Sequence, residues 1–144
     1  MEIVIRTPKT PVEWEKYYDL RYRILREPWQ QPRGSERNEG DATEMHFAYF
    51  ENGKILGVGR LDSQSEKVAQ IRFMAVETET QGKGIGKALM LEMEQVAKER
   101  GDKKIILHAR EIALDFYQKL GYALIEKSHN LFGQIQHYLM EKEI

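Results

Sequence analysis

The sequence predicts a mixed α/β domain in which a central sheet is flanked by helices. Three observations predict it: strand-like and helix-like apolar periods alternate along the chain; an Asn-Gly pair joins two strand-like runs; and a glycine-rich turn links an apolar strand to the most amphipathic helical run. With 144 residues and no break in composition, residues 1–144 are expected to form one domain large enough to bury a proper core.

Ile3 to Arg6 reads as a short strand. Thr10-Pro11-Val12-Glu13 then supplies a capping residue, a helix-starting proline and a third-position glutamate. The helix it starts runs through Trp14, Tyr17, Tyr18, Arg21 and Leu25 and stops before Pro28. Glu27 to Thr43 holds Pro28, Pro32, Gly34 and Gly40 without useful periodicity, so a long surface loop is expected there. His46 to Phe50 and Lys54 to Leu61 flank Asn52-Gly53, whose tolerance of positive φ makes an antiparallel hairpin. A polar turn over Asp62 to Glu66 leads into a strand from Val68 to Val76. Ile85 to Arg100 is helical, with Ile85, Leu89, Met93, Val96 and Ala97 on one stripe and Gly101 at its end. Lys104 to Ala109 reads as a buried strand and Glu111 to Leu120 as a short helix closed by Gly121. Tyr122 to Ser128 and Gln134 to Glu141 form a final antiparallel pair. The expected order is β-α-β-β-β-α-β-α-β-β.

Composition removes several classes of function. The net charge is −1 with both signs interspersed, so neither nucleic acid nor an anionic membrane is expected as a partner. There is no cysteine, which excludes disulfides, thiol catalysis and thiolate metal sites. No apolar stretch is long enough for a bilayer and Met1-Glu2-Ile3-Val4 lacks an export signal, so a soluble cytoplasmic protein is expected. No two of the four histidines have metal-ligand spacing on one element, and no metal is expected.

The chemistry concentrates in Gln81-Gly82-Lys83-Gly84-Ile85-Gly86-Lys87. Glycine lets a backbone approach a phosphate without a Cβ in the way, and the helix that follows adds unsatisfied N–H groups and a positive dipole end. The spacing excludes two familiar phosphate loops. Three residues separate Gly82 from Gly86 and Lys87 is followed by Ala88, which is not a nucleotide P-loop, and G-x-G-x-G past the midpoint is not a dinucleotide fingerprint. Gln-x-x-Gly-x-Gly instead resembles the acetyl-coenzyme A pyrophosphate loop of the GNAT superfamily of N-acetyltransferases.

A second stretch, Arg110-Glu111-Ile112-Ala113-Leu114-Asp115-Phe116-Tyr117 followed by Gly121-Tyr122, resembles that superfamily's other signature, in the right order and at a plausible separation. Arg110 stands where many members have asparagine. Leu20 to Arg26, Gln70 to Ala75, Ala109-Arg110 and His137 to Met140 further resemble the branch that contains glyphosate N-acetyltransferase and its uncharacterised bacterial relatives. The loop from Asn130 to Gln136 departs from that branch, which leaves substrate shape open.

The resemblance implies an acyl-CoA N-acyltransferase fold whose sheet splays where Ile71 to Val76 meets Ile105 to Ala109. Acetyl-coenzyme A enters that gap as acyl donor, against Met74, Ala75 and Val76, the loop from Gln81 to Lys87, and Ala113, Phe116 and Tyr117. Tyr117 protonates the departing sulfur, His137 acts as base, and Arg26, Arg72 and Arg110 hold the anionic groups of a small amine. Each has a plainer explanation. Tyr117 fits a helical core stripe with Ala113, Phe116 and Leu120, and His137 shares a strand face with Ile135 and Leu139. Arg26 and Arg110 could pair with Glu111 or Asp115, Lys83 and Lys87 could be ordinary solvated lysines, His46 and His129 read as surface residues, and His108 as packed. Arg72 interrupts an apolar run and is harder to explain by packing. Three functions follow: acetylation of a small, anionic primary or secondary amine, acetylation of a protein, peptide or polyamine on the same fold, and a non-catalytic acyl-coenzyme A sensor. A homodimer through an exposed strand edge is one option by analogy.

Overall fold

The computed structural model describes all residues, 1–144. The chain folds as β1 (Ile3–Arg6), α1 (Pro11–Leu25), β2 (Met45–Glu51), β3 (Lys54–Ser65), β4 (Val68–Val76), α2 (Ile85–Glu99), β5 (Lys104–Arg110), α3 (Leu114–Lys119), β6 (Ala123–Leu131) and β7 (Ile135–Glu143). The element order is the expected one. α1 starts where the capping signal places it: Thr10 Oγ1 accepts from Glu13 N at 3.1 Å. The expected box does not close, because the Glu13 carboxylate turns instead to Arg6 at 2.9 Å and Lys9 N at 2.7 Å.

All seven strands join one mixed sheet in the order β1-β2-β3-β4-β5-β7-β6. Only β4 and β5 run parallel, and they pair only over Val68–Gln70 and Lys104–Ile106. Beyond that the two strands part, giving the expected splay. β3 is longer than expected and runs to Ser65. Asp62 is drawn into it, buried, by its ion pair with Arg60 on the same strand face. The long loop is not featureless: Glu27–Trp29 and Glu39–Ala42 form 3₁₀ turns, the second closed by an Asn38/Asp41 capping box.

Side-chain alternation sends apolar residues to both faces of the sheet. Phe47, Leu61, Ile71, Ile105, Leu107 and Met140 meet Leu89, Met93 and Ala97 of α2, together with Tyr117 of α3. Ala48, Phe50, Val58 and Ala75 meet Tyr17 and Leu20 of α1 on the other face. Leu89 and Met93 are fully buried, and each such side chain contributes roughly 1.5–3 kcal/mol by leaving water. Two packed faces hold the sheet rigid while its centre stays open, which is the geometry that positions the site.

Candidate active site

The splay connects the two faces. A cavity of about 220 Å³ fills it, and its lining gathers Arg26, Arg72, Arg110, His137, Tyr117 and Met74, with His108, His129 and Trp29. The polar members come from the α1 face. Arg110 lies directly opposite His137 across the β5–β7 pair, so alternation puts both, with His108, on one side. Arg72 lies opposite Arg60, and Arg60 opposite His46, in a row across β4, β3 and β2. Tyr117 comes from the α2 face and meets them through the gap.

The cavity contains no carboxylate. Arg26 donates only to main-chain carbonyls, Ser35 at 3.0 Å and Leu25 at 3.1 Å. Burial lowers its pKa, with Arg21 and Arg72 adding to the effect against Glu36. Arg72 stands 4.0 Å from Asp62, whose carboxylate already grips Arg60 at 2.7 Å. The partners expected for Arg26 and Arg110 are not used: Glu111 accepts from Tyr138 Oη at 3.1 Å, and Asp115 makes no ion pair. Loose cations facing one cavity attract an anion, because guanidinium N–H groups match carboxylate and phosphate oxygens.

His137 is buried, and its Nδ1 lies 3.0 Å from the Ile135 carbonyl. A carbonyl only accepts, so Nδ1 carries the proton and Nε2 keeps its lone pair. Burial, with the cationic forms of His129, Arg110 and His108 nearby, holds His137 below the usual histidine range despite that carbonyl bond. Its ring stacks on His129 with centroids 4.3 Å apart and planes 17° apart. No group of three or more His, Asp or Glu side chains is placed to share a metal. The Tyr117 side chain is buried, its hydroxyl makes no hydrogen bond within the chain, and burial pushes its pKa up to about 12, against the pull of Arg110. It therefore holds its proton at neutral pH.

The loop before α2 is built from main chain. Gly82 and Gly84 both sit at φ +85°, where a side chain would be strained. Gly84 caps α2 with no side-chain hydrogen bond. The N–H groups of Gly82, Gly84, Ile85, Gly86 and Lys87 have no acceptor within the chain, whereas Ala88 N donates to Gly84 O at 3.0 Å. Gly86 has ordinary helical backbone but sits close under α3: a Cβ there would stand 3.2 Å from the Phe116 ring, which would have to shift by a few tenths of an ångström. Lys83, Lys87 and Gln81 are exposed, the last with its amide 3.2 Å from Val76 O. Glu77 N donates to Leu56 O on β3. Amide direction alternates along a strand, so the peptide groups of Val76 and Met74 turn toward the gap and those of Ala75 toward β3. Met74, Ala113 and Tyr117 line the cavity, and Val76 and Phe116 lie beside Gly86; Ala75, also expected on the donor side, is buried in the core on the α1 face with its peptide groups toward β3.

Two expectations about histidine change. His46 is not at the surface: it is 5% exposed, bonded to Tyr17 Oη at 2.9 Å and Asp41 O at 2.8 Å, under the Trp14 ring. Its neighbouring turn suggested exposure, but α1 covers the strand face it occupies. His129 is exposed as expected, yet it lines the cavity, as does His108, whose Nδ1 lies 3.0 Å from Ser128 Oγ. Period-two counting from Arg110 would have found His108. Nothing in the loop sequence marked Trp29.

Comparison with known proteins agrees with this geometry. Residues 14–122 match the family described as Acetyltransferase (GNAT) family. Over 101 residues the chain is 31% identical to glucosamine 6-phosphate N-acetyltransferase of Trypanosoma brucei brucei, covering 66% of this chain and 68% of that protein. The fold matches a crystal structure of aminoglycoside 6'-N-acetyltransferase complexed with coenzyme A, at TM-score 0.82 and 19% identity over 99% of this chain and 97% of that one. It also matches the PaiA N-acetyltransferase of Thermoplasma acidophilum in complex with coenzyme A, at TM-score 0.75 and 19% identity over all of both chains. No helix is long and apolar enough to cross a membrane. The chain belongs to the acetyltransferase (GNAT) family and is an acyltransferase.

Proposed function

We propose that residues 1–144 act as one domain that transfers an acetyl group from acetyl-coenzyme A directly to the amine of a small anionic metabolite. The observation that carries this is the cavity itself: three arginines without a close carboxylate of their own, beside a histidine whose Nε2 is free. The same positions support placing the chain in the branch that resembles glyphosate N-acetyltransferase. A cytoplasmic site of action belongs to the same proposal.

On the donor side, the five unengaged N–H groups at the start of α2 suit a pyrophosphate, with the helix dipole adding to them. The gap-facing peptide groups of Met74 and Val76 suit the amides of the pantetheine arm. Arg26, Arg72 and Arg110 hold the acceptor's anion, and His137 Nε2 takes a proton from its ammonium, because only the neutral amine has a lone pair for attack. As the amine adds to the thioester carbonyl, an oxyanion forms that the Val76 N–H is directed to stabilise. As the C–S bond breaks, Tyr117 Oη gives its proton to sulfur and the second proton on the attacking nitrogen leaves to solvent; Tyr117 then recovers a proton and His137 sheds the one it took, leaving coenzyme A thiol and the N-acetylated amine. Holding both reactants in one gap contributes roughly 7–11 kcal/mol to lowering the barrier.

Thiol release with O-phospho-L-serine, glucosamine 6-phosphate, L-aspartate, spermidine and a lysine peptide as acceptors tests this. Acidic amines should be preferred; a clear preference for spermidine or the peptide would overturn the anionic assignment. Tight coenzyme binding with no release on any amine would instead indicate a sensor. With the preferred acceptor, His137→Ala should lower kcat by roughly 10²–10⁴-fold and leave acetyl-coenzyme A affinity unchanged. Unchanged turnover would remove His137 as base.

A further inference from the structure

Phe73 breaks the pattern of its own strand. It adopts φ +56° in the middle of β4, in a bulge where Phe73 and Met74 together oppose Gly59. A non-glycine residue rarely adopts such a conformation inside a strand, and holds it only where its surroundings over-determine it. The consequence is directional. Alternation from Arg72 would send the Phe73 ring to the α2 face, but the bulge keeps both residues on the α1 face and sends Met74 across instead.

The ring is surrounded there by cations. Its centroid lies 4.4 Å from Cζ of Arg21, 4.9 Å from that of Arg60, 5.1 Å from that of Arg72 and 5.9 Å from that of Arg26. Arg21 and Arg60 are fully buried and tied to Asp41 at 2.9 and 3.0 Å. Arg26 and Arg72 line the cavity. A carboxylate that fixed these two would also consume their N–H donors and cancel their charge. An aromatic ring attracts a guanidinium through its electron-rich face and leaves donors and charge available.

We infer that Phe73 is a positioning residue for anion binding, its ring seating Arg26 and Arg72 at the cavity without neutralising them. This rests on the reading that those arginines receive the acceptor's anion. The strained backbone is what brings the ring to them, and the fixed pair Arg21 and Arg60 anchors its other side.

The test replaces Phe73 with mono-, di- and trifluorophenylalanine, which keep its shape while draining the negative face of the ring. Inorganic phosphate is titrated into each protein with coenzyme A saturating, so that the glycine loop is occupied, and binding is followed on the Arg26 and Arg72 Nε–H resonances. Phosphate affinity should fall stepwise with each fluorine, roughly tenfold across the series, while coenzyme A affinity stays constant; Phe73→Tyr should behave as wild type. If phosphate binds and Arg26→Gln weakens it, but the fluorine series is flat, the anion site stands and the role of Phe73 is overturned. If the wild-type protein binds no phosphate at these arginines, the anion site falls and the inference with it.

Discussion

Arg21 and Arg60 share a sheet face and an aromatic ring with Arg26 and Arg72, yet the two pairs are built in opposite ways. Arg21 and Arg60 are out of water, and Asp41 bridges them while Asp62 takes the far side of Arg60. Burial alone would raise Asp41, but Arg21, the Asn38 backbone N–H and Arg60 together outweigh it and hold its carboxyl below the usual range. Arg26 keeps only carbonyl partners and Arg72 only the edge of an occupied carboxylate, and Arg110 has none. Residue type is the same throughout. What separates an arginine that holds the fold from one offered to a ligand is whether the chain supplies its counter-ion.

The sharpest way to break that distinction is Asp41→Ala. Leaving two buried guanidiniums without their shared anion should cost roughly 3–5 kcal/mol of stability, read by urea unfolding; a loss below about 1 kcal/mol would mean that the pair is not structural. Next in size, Arg26→Gln and Arg110→Gln should each raise the KM of an acidic acceptor by roughly 10–100-fold, the worth of a charge-assisted hydrogen bond. Both should leave unfolding within about 0.5 kcal/mol of wild type; if stability falls instead and KM holds, the open set belongs with the buried one.

Smaller effects come with pH. Burial holds His46, His108 and His137 below their ordinary value of 6.5. In the unfolded chain each takes up a proton as pH drops through about 6.5, where the folded one does not, so protons favour unfolding and the melting temperature should decline from pH 7 toward pH 5. A His46→Gln variant should show a shallower decline, and an unchanged slope would remove His46 as a contributor. Over the same range the acid limb of kcat/KM should lie below 6.5, since the His137 base stays neutral there; a limb above 6.5 would contradict its lowered pKa.

The main-chain geometry of the glycine loop was legible in the chain and the arrangement of the polar cavity only in part. Gln81 to Lys87 presents unengaged backbone N–H groups, and glycine spacing before an amphipathic helix specifies backbone directly. The α1 capping signal and the Asn52-Gly53 turn worked for the same local reason. Arg26, Arg72, Arg110 and His137 were found from resemblance and from polar residues interrupting apolar periods, but nothing local showed whether Glu111 or Asp115 would neutralise them. His46 and Asp62 were misplaced because adjacent turn residues signal exposure, while α1, distant in sequence, covers His46 and the ion pair with Arg60 two residues away draws Asp62 into β3. Phe73 gave no signal, since an apolar residue in an apolar strand looks ordinary until a bulge turns it. Local chain geometry and periodicity thus determined the elements, their order and the glycine loop with its unengaged amides. Only the tertiary structure decided which charges are paired, which rings face which cations and how far the sheet opens, because those depend on residues that meet across several elements rather than along one.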